Sequence, residues 1–230
     1  MRLRFLAPLP LLATAAPAEV EREIPWGVEI VTGYRSEYIQ RGFKLANDLF
    51  DVQAEAELTL TDDLIANFGA WYGTGTGSAD FDEGGAFAGI RAEQGDFSFA
   101  FDARWRSIDH PVFEDGLDLM PSVSWHWTED LGLTAGAAWN TGADGLYGFA
   151  ESNWSKPVGK SSFVSLTGGL SAVDGYYGRS GWNDLYARAS FTQGINQSVA
   201  ITPFVGLSIP LQSDGETNRL FGGVWFEVNF

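Results

Sequence analysis

Between Phe50 and Thr61 the chain alternates residue by residue. Phe50, Val52, Ala54, Ala56, Leu58 and Leu60 interleave with Asp51, Gln53, Glu55, Glu57, Thr59 and Thr61. Phe97, Phe99, Phe101, Ala103 and Trp105 interleave with Ser98, Ala100, Asp102, Arg104 and Arg106. Leu117, Leu119, Pro121, Val123, Trp125 and Trp127 interleave with Asp118, Met120, Ser122, Ser124, His126 and Thr128. A helix would scatter these two sets around its circumference, so the pattern predicts strands with one apolar face. Similar runs begin near Trp26, Leu64, Ala86, Leu131, Tyr147, Phe163, Asp184, Ser198 and Leu220, which makes about twelve strands. Pro121 and Pro203 cannot donate to a ladder, and each predicts a bulge or a locally unpaired position.

The connections alternate in length. Thr61 to Asp63, Gln94 to Asp96, Thr128 to Asp130, Lys156 to Lys160 and Gln193 to Gln197 read as short turns. Ser36 to Asp48, Gly73 to Glu83, Ser107 to Gly116, Asn140 to Gly145, Asp174 to Trp182 and Pro210 to Asn218 read as long loops. Short turns at one end and long loops at the other describe an all-β, antiparallel, up-and-down transmembrane barrel with both termini periplasmic. The apolar faces run about ten residues, the length a tilted strand needs to cross hydrocarbon. Aromatics gather near their ends. Tyr72, Trp105 and Trp139 fall on the long-loop side, and Phe97, Trp127, Phe191 and Phe230 on the short-turn side, as two girdles at headgroup level would. A soluble exported β-sandwich that binds a ligand also alternates and is the competing architecture.

The N-terminus changes the compartment. Arg2 and Arg4 precede an apolar run from Phe5 to Ala13, and Ala16-Pro17-Ala18 matches a cleavage site that would leave Glu19 first. Residues 1–18 are therefore expected to be a signal peptide and 19–230 one barrel domain. The last strand closes on Trp225-Phe226-Glu227-Val228-Asn229-Phe230, an alternation ending in an aromatic that resembles the signal read by barrel-assembly machinery. That machinery, outer-membrane lipid and lipopolysaccharide are the expected partners, along with small solutes.

Charge and composition narrow the chemistry. Among 230 residues, 30 acids against 14 bases give a formal charge of −16, which excludes a phosphate-binding surface and hence nucleic acid. There is no cysteine, so neither a disulfide framework nor a thiolate metal site can form. Gly73-Thr74-Gly75-Thr76-Gly77 lacks the Gly-Lys of a phosphate loop. Ser78, Asp80, Asp82 and Glu83 could hold Ca²⁺ but read better as a solvated acidic loop. Only His110 and His126 could serve as a base, and neither has a placed nucleophile. No catalytic residue, metal or cofactor is expected. His126 is expected to be a hydrogen-bond partner inside the barrel.

If the apolar faces meet lipid, the alternate set lines the lumen: Asp51, Glu55, Glu57, Arg91, Asp102, Arg104, Arg106, Asp118, Arg188 and Glu227, with Glu29, Glu93, Glu151 and Asp184 alongside. Excess carboxylate would favour cations in an open pore. Phe87, Phe149, Tyr186, Phe204, Phe221 and Trp225 are aromatic candidates for the interior.

The opening strand and loop, Val31-Thr32-Gly33-Tyr34-Arg35-Ser36-Glu37-Tyr38-Ile39-Gln40-Arg41-Gly42, resemble those of the TorF-like porins, with a tyrosine-bearing first strand and an Arg-Gly pair. The resemblance implies an outer-membrane pore with no defined substrate and no catalytic residues. The functional expectation is passive diffusion of small polar or cationic solutes. A closed structural or adhesive barrel, using Tyr176, Tyr177 and Trp182 in an outer loop, is the alternative.

Overall fold

A computed structural model describes residues 26–76, 81–212 and 216–230. The signal-peptide expectation, and Ser78 and Asp80 of the acidic loop, lie outside them. The described residues form twelve strands: β1 (Trp26–Gln40), β2 (Phe43–Thr61), β3 (Leu64–Gly75), β4 (Asp82–Gln94), β5 (Phe97–Ile108), β6 (Gly116–His126), β7 (Leu131–Asn140), β8 (Gly145–Pro157), β9 (Ser162–Tyr176), β10 (Arg179–Gly194), β11 (Val199–Pro210) and β12 (Arg219–Asn229). Each pairs antiparallel with its chain neighbours. β1 closes on β12 from Glu29↔Asn229 to Arg35↔Gly223, so the sheet is a closed barrel with no free edge. This is an up-and-down all-β barrel, not a two-sheet sandwich.

Closure satisfies the backbone internally, a requirement in hydrocarbon, where each unpaired amide costs several kcal/mol. The two side-chain sets then part. Phe68, Ile90, Phe99, Phe101, Val205 and Phe226 are exposed, while Asp51, Glu55, Arg91, Arg106, Asp118 and Glu227 are buried. Such a belt of large exposed apolar side chains is far more than a soluble monomer carries. Tyr72, Phe97, Trp105, Trp127, Trp139, Phe191 and Phe230 are all exposed. Trp26 and Phe230 lie at the short-turn end, where the Phe230 amide donates to the Val28 carbonyl at 2.9 Å.

Both prolines interrupt pairing without shifting register. β6 skips its β7 partners between Leu119↔Trp139 and Ser122↔Gly136, and β11 skips β10 between Ser190↔Phe204 and Gln193↔Ile201. Pro121 and Pro203 fall in these gaps, where no amide donor is needed.

Two expected loops are instead strand. Ser36 to Asp48 continues β1 and β2 to a two-residue tip at Arg41-Gly42, and Asp174 to Trp182 continues β9 and β10 to a tip at Tyr177-Gly178. Both central residues of each tip have positive φ: 51° and 78° in the first, 46° and 81° in the second. That is the backbone of a type I′ turn, whose twist matches the flanking strands. Loop-like composition hid the hairpins because glycine occupies only the second position, leaving Arg41 and Tyr177 to adopt a conformation that side chains rarely take.

Candidate functional site: the barrel interior

The β1–β2 hairpin does not stand clear of the barrel. Its tip reaches across the long-loop mouth to the opposite wall. Arg41 Nη1 donates to Asp118 Oδ1 of β6 at 2.9 Å and to the Tyr176 hydroxyl of β9 at 3.0 Å, and its guanidinium lies 5.0 Å from the Tyr147 ring of β8. Asn183 of β10 donates to the Arg41 carbonyl at 2.9 Å, and Arg179 donates to the Gly42 carbonyl at 3.3 Å while lying 3.5 Å from the Phe43 ring. A register shift in β10 between Trp182 and Leu185 turns both Asn183 and Asp184 inward, which supplies these partners. Phe43 packs edge-on to Phe113 at 5.1 Å, and Tyr38, Leu45, Leu49 and Phe81 extend one apolar cluster with Met120, Tyr147 and Tyr176. This core packs the hairpin against the walls of the loop-side mouth and narrows it. Tyr176 has no exposed surface, which corrects its assignment to an adhesive outer loop; Trp182 is exposed.

Below the hairpin, the interior carries aromatics in a regular relation to glycine. Phe87 pairs across strands with Gly69, Phe149 with Gly136, Tyr186 with Gly169, Phe204 with Gly223, Phe221 with Gly206, and Trp225 with Gly33. Each ring lies over its partner. A Cβ on Gly136 would stand 2.8 Å from Phe149, and one on Gly223 would stand 2.7 Å from a Phe204 ring carbon. Glycine at these positions lets a large ring lie flat on the wall, the arrangement called aromatic rescue.

Charge is segregated along the axis. In the short-turn half, Glu55 accepts from Asn67 at 3.0 Å, Glu57 pairs with Arg91 at 3.4 Å, and Glu227 accepts from Thr202 at 2.7 Å. Glu29, cross-strand from Glu55, is buried, and its Oε2 has no hydrogen-bond partner among the described residues. His126 shares a 2.9 Å hydrogen bond with Ser98. Nearer the loop side, Asp51 pairs with Arg35, and Arg106 with Glu83 at 2.6 Å. Arg104 and Arg188 form no ion pair among the described residues, and Arg106 pairs with Glu83 instead of with Asp102. Between these levels lies a cavity of about 200 Å³, lined by Arg35, Arg104, Arg188, Glu151, Tyr186, Phe204 and Trp225, with Arg41 and Gly42 of the hairpin tip as part of its roof.

His110, in the β5–β6 loop, uses Nδ1 to accept from the amides of Val112 and Phe113 at 3.2 and 3.3 Å. Partial burial holds its imidazole below the usual value. No group of three metal-ligating side chains is assembled among the described residues.

No protein-family model matches the chain, and no curated protein matches it. Solved structures do match. The KdgM porin superposes with a TM-score of 0.57 at 8% identity, over 89% of this chain and 99% of that one. The fold is that of the outer-membrane porin barrels. An outer-membrane channel from Pseudomonas putida F1 superposes at 0.57 with 12% identity, covering 94% of this chain and 100% of that one. The NanC porin gives 0.55 at 9% identity, over 88% and 98%. A porin-like barrel with an apolar outer belt belongs in the bacterial outer membrane. The TorF-like resemblance has no matching family model behind it; the porin architecture is what the chain and its structural neighbours share.

Proposed function

We propose that this porin-like barrel is a passive channel for small polar solutes that favours cations and is narrowed at its loop-side mouth by the β1–β2 hairpin. The observation that carries the reading is the polar interior: a closed wall, apolar outside, encloses a cavity lined by ionisable and aromatic side chains. Glu55, Glu57 and Asp102 lower the entry barrier for positive charge from the short-turn side, where few cationic side chains oppose them. The lumen set, the aromatic girdles, the periplasmic termini and recognition of the Phe230 strand by assembly machinery belong to the same reading. The porin neighbours favour transport over catalysis.

Reversal potentials in planar bilayers under a KCl gradient test it. A cation-selective sign supports the proposal, and an anion-selective sign rejects it. Absence of conductance favours the second reading, a closed structural barrel, which the aromatic core across the mouth specifically supports.

A further inference from the structure

Two arginines inside the barrel, Arg104 and Arg188, form no ion pair among the described residues. Arg188 makes no hydrogen bond or ion pair among the described residues; its guanidinium lies 5.4 Å from the centroid of the Trp225 ring. Arg35 approaches the same indole at 5.8 Å. Phe204 stacks on Trp225 at 3.9 Å and 11°. Arg104 lies 5.5 Å from Phe87, and its buried Nε has no hydrogen-bond partner. All three arginines border the same cavity. Only Arg35 is matched by a carboxylate, Asp51. Three acids also line the cavity, Glu37, Glu151 and Asp184. Glu37 pairs with Lys44 and Arg219, whereas Glu151 is engaged by neutral donors, the Tyr186 hydroxyl at 3.1 Å and Asn153 at 3.1 Å, and Asp184 by Asn183 and Ser208, each at 3.1 Å.

Guanidiniums held over aromatic rings with no ion pair of their own are costly in a partly desolvated space, and an anion placed between them lowers that cost. We propose that the mid-lumen cavity is a binding site for a small organic carboxylate bearing one six-membered ring, held by Arg188 and Arg104 with its ring against the aromatic wall. The guanidinium fork matches a carboxylate bidentately. Size sets the ring count, since a cavity of about 150 Å³ accommodates benzene, so about 200 Å³ takes one ring with its carboxylate. Aromatic acids and hexuronates share this chemistry. The site goes beyond ion selectivity: the acid-rich short-turn half governs entry of inorganic ions, and the arginine cavity above it retains an organic anion.

Calorimetric titration of the refolded barrel in detergent tests the site without requiring conductance, so its failure is separate from that of the channel reading. The probes are benzoate, glucuronate, benzamide, glucose, acetate and inorganic phosphate. At least one ring acid should bind roughly tenfold or more tightly than its neutral counterpart, acetate and phosphate; the stronger of benzoate and glucuronate identifies the source. Arg188→Gln and, independently, Arg104→Gln should each weaken that binding by about tenfold. Heat-dependent gel mobility confirms that both variants are folded, and if neither folds the wild-type probe series decides alone. Equal binding of acid and neutral analogue, phosphate or acetate binding as well as the ring acids, no binding by either ring acid, or folded variants with undiminished affinity would overturn the proposal.

Discussion

Arg41 occupies a residue position that no local rule favours. Its φ of 51° is unfavourable for a side chain, and its side chain is largely buried, only 8% exposed. Asp118, with no exposed surface, and the phenol of Tyr176 compensate from the far wall. Removing one member of such a pair leaves an uncompensated charge, at a cost of about 3–5 kcal/mol. Arg41→Ala should therefore lower the urea midpoint of the folded barrel and raise single-channel conductance. Arg41→Met combined with Asp118→Leu should recover much of the stability, because neither charge is then stranded. If Arg41→Ala leaves both midpoint and conductance unchanged, the clamp contributes nothing. His110 supplies a second residue-scale test. Its folded value lies below the unfolded value of about 6.5, so its contribution to loop order is present above that pH and lost as pH falls through the depressed folded value. Protonated Nδ1 cannot accept from Val112 and Phe113, and their amide resonances should shift together over that range.

At the scale of the element, the two-residue period carried strand identity, and the apolar runs were long enough to specify which face lay outside. The extent of the hairpins was not legible in the same way. Ser36 to Asp48 mixes Glu37, Arg41 and Lys44 with Tyr38 and Phe43, a pattern that suits a solvated loop; it becomes strand because its tip finds partners 77 to 142 residues away. The inward rings were visible as aromatics on the polar face, but their glycine partners emerge only once register is known. Inward glycine opposite inward aromatic is the signal that would have found them. Gly206→Val should displace Phe221, and Gly136→Val should displace Phe149, each costing about 1–3 kcal/mol of overpacking. Gly27→Val, where a Cβ meets nothing within 4 Å, should leave the unfolding midpoint near that of the parent. Equal effects in all three would detach glycine placement from the rings.

For the whole molecule, the outward set predicts an insertion phenotype. Phe99→Arg and Val123→Arg put a cation on the belt at a cost of about 2–4 kcal/mol near mid-bilayer, whereas Ser122→Arg faces the interior. Folding yield into vesicles, read by heat-dependent gel mobility, should fall for the first two and be better retained in the third. Uniform loss would reverse the face assignment. The candidate site was partly readable at this scale: alternation identified Arg104 and Arg188 as interior candidates, but only the closed wall reveals that they share a cavity and form no ion pair among the described residues.

The reach of the first hairpin has a consequence for how the barrel comes into being. β1 and β2 precede the other strands in the chain, yet the hydrogen-bond partners named for their tip belong to β6, β9 and β10, and the ring beside the Arg41 guanidinium to β8. Contacts separated so widely in sequence cannot mature until the intervening chain is in place. A nascent barrel therefore has a wider mouth than the finished one. Its oldest segment waits for the wall opposite, and the narrowing of the mouth serves as the molecule's own record that the wall has been built.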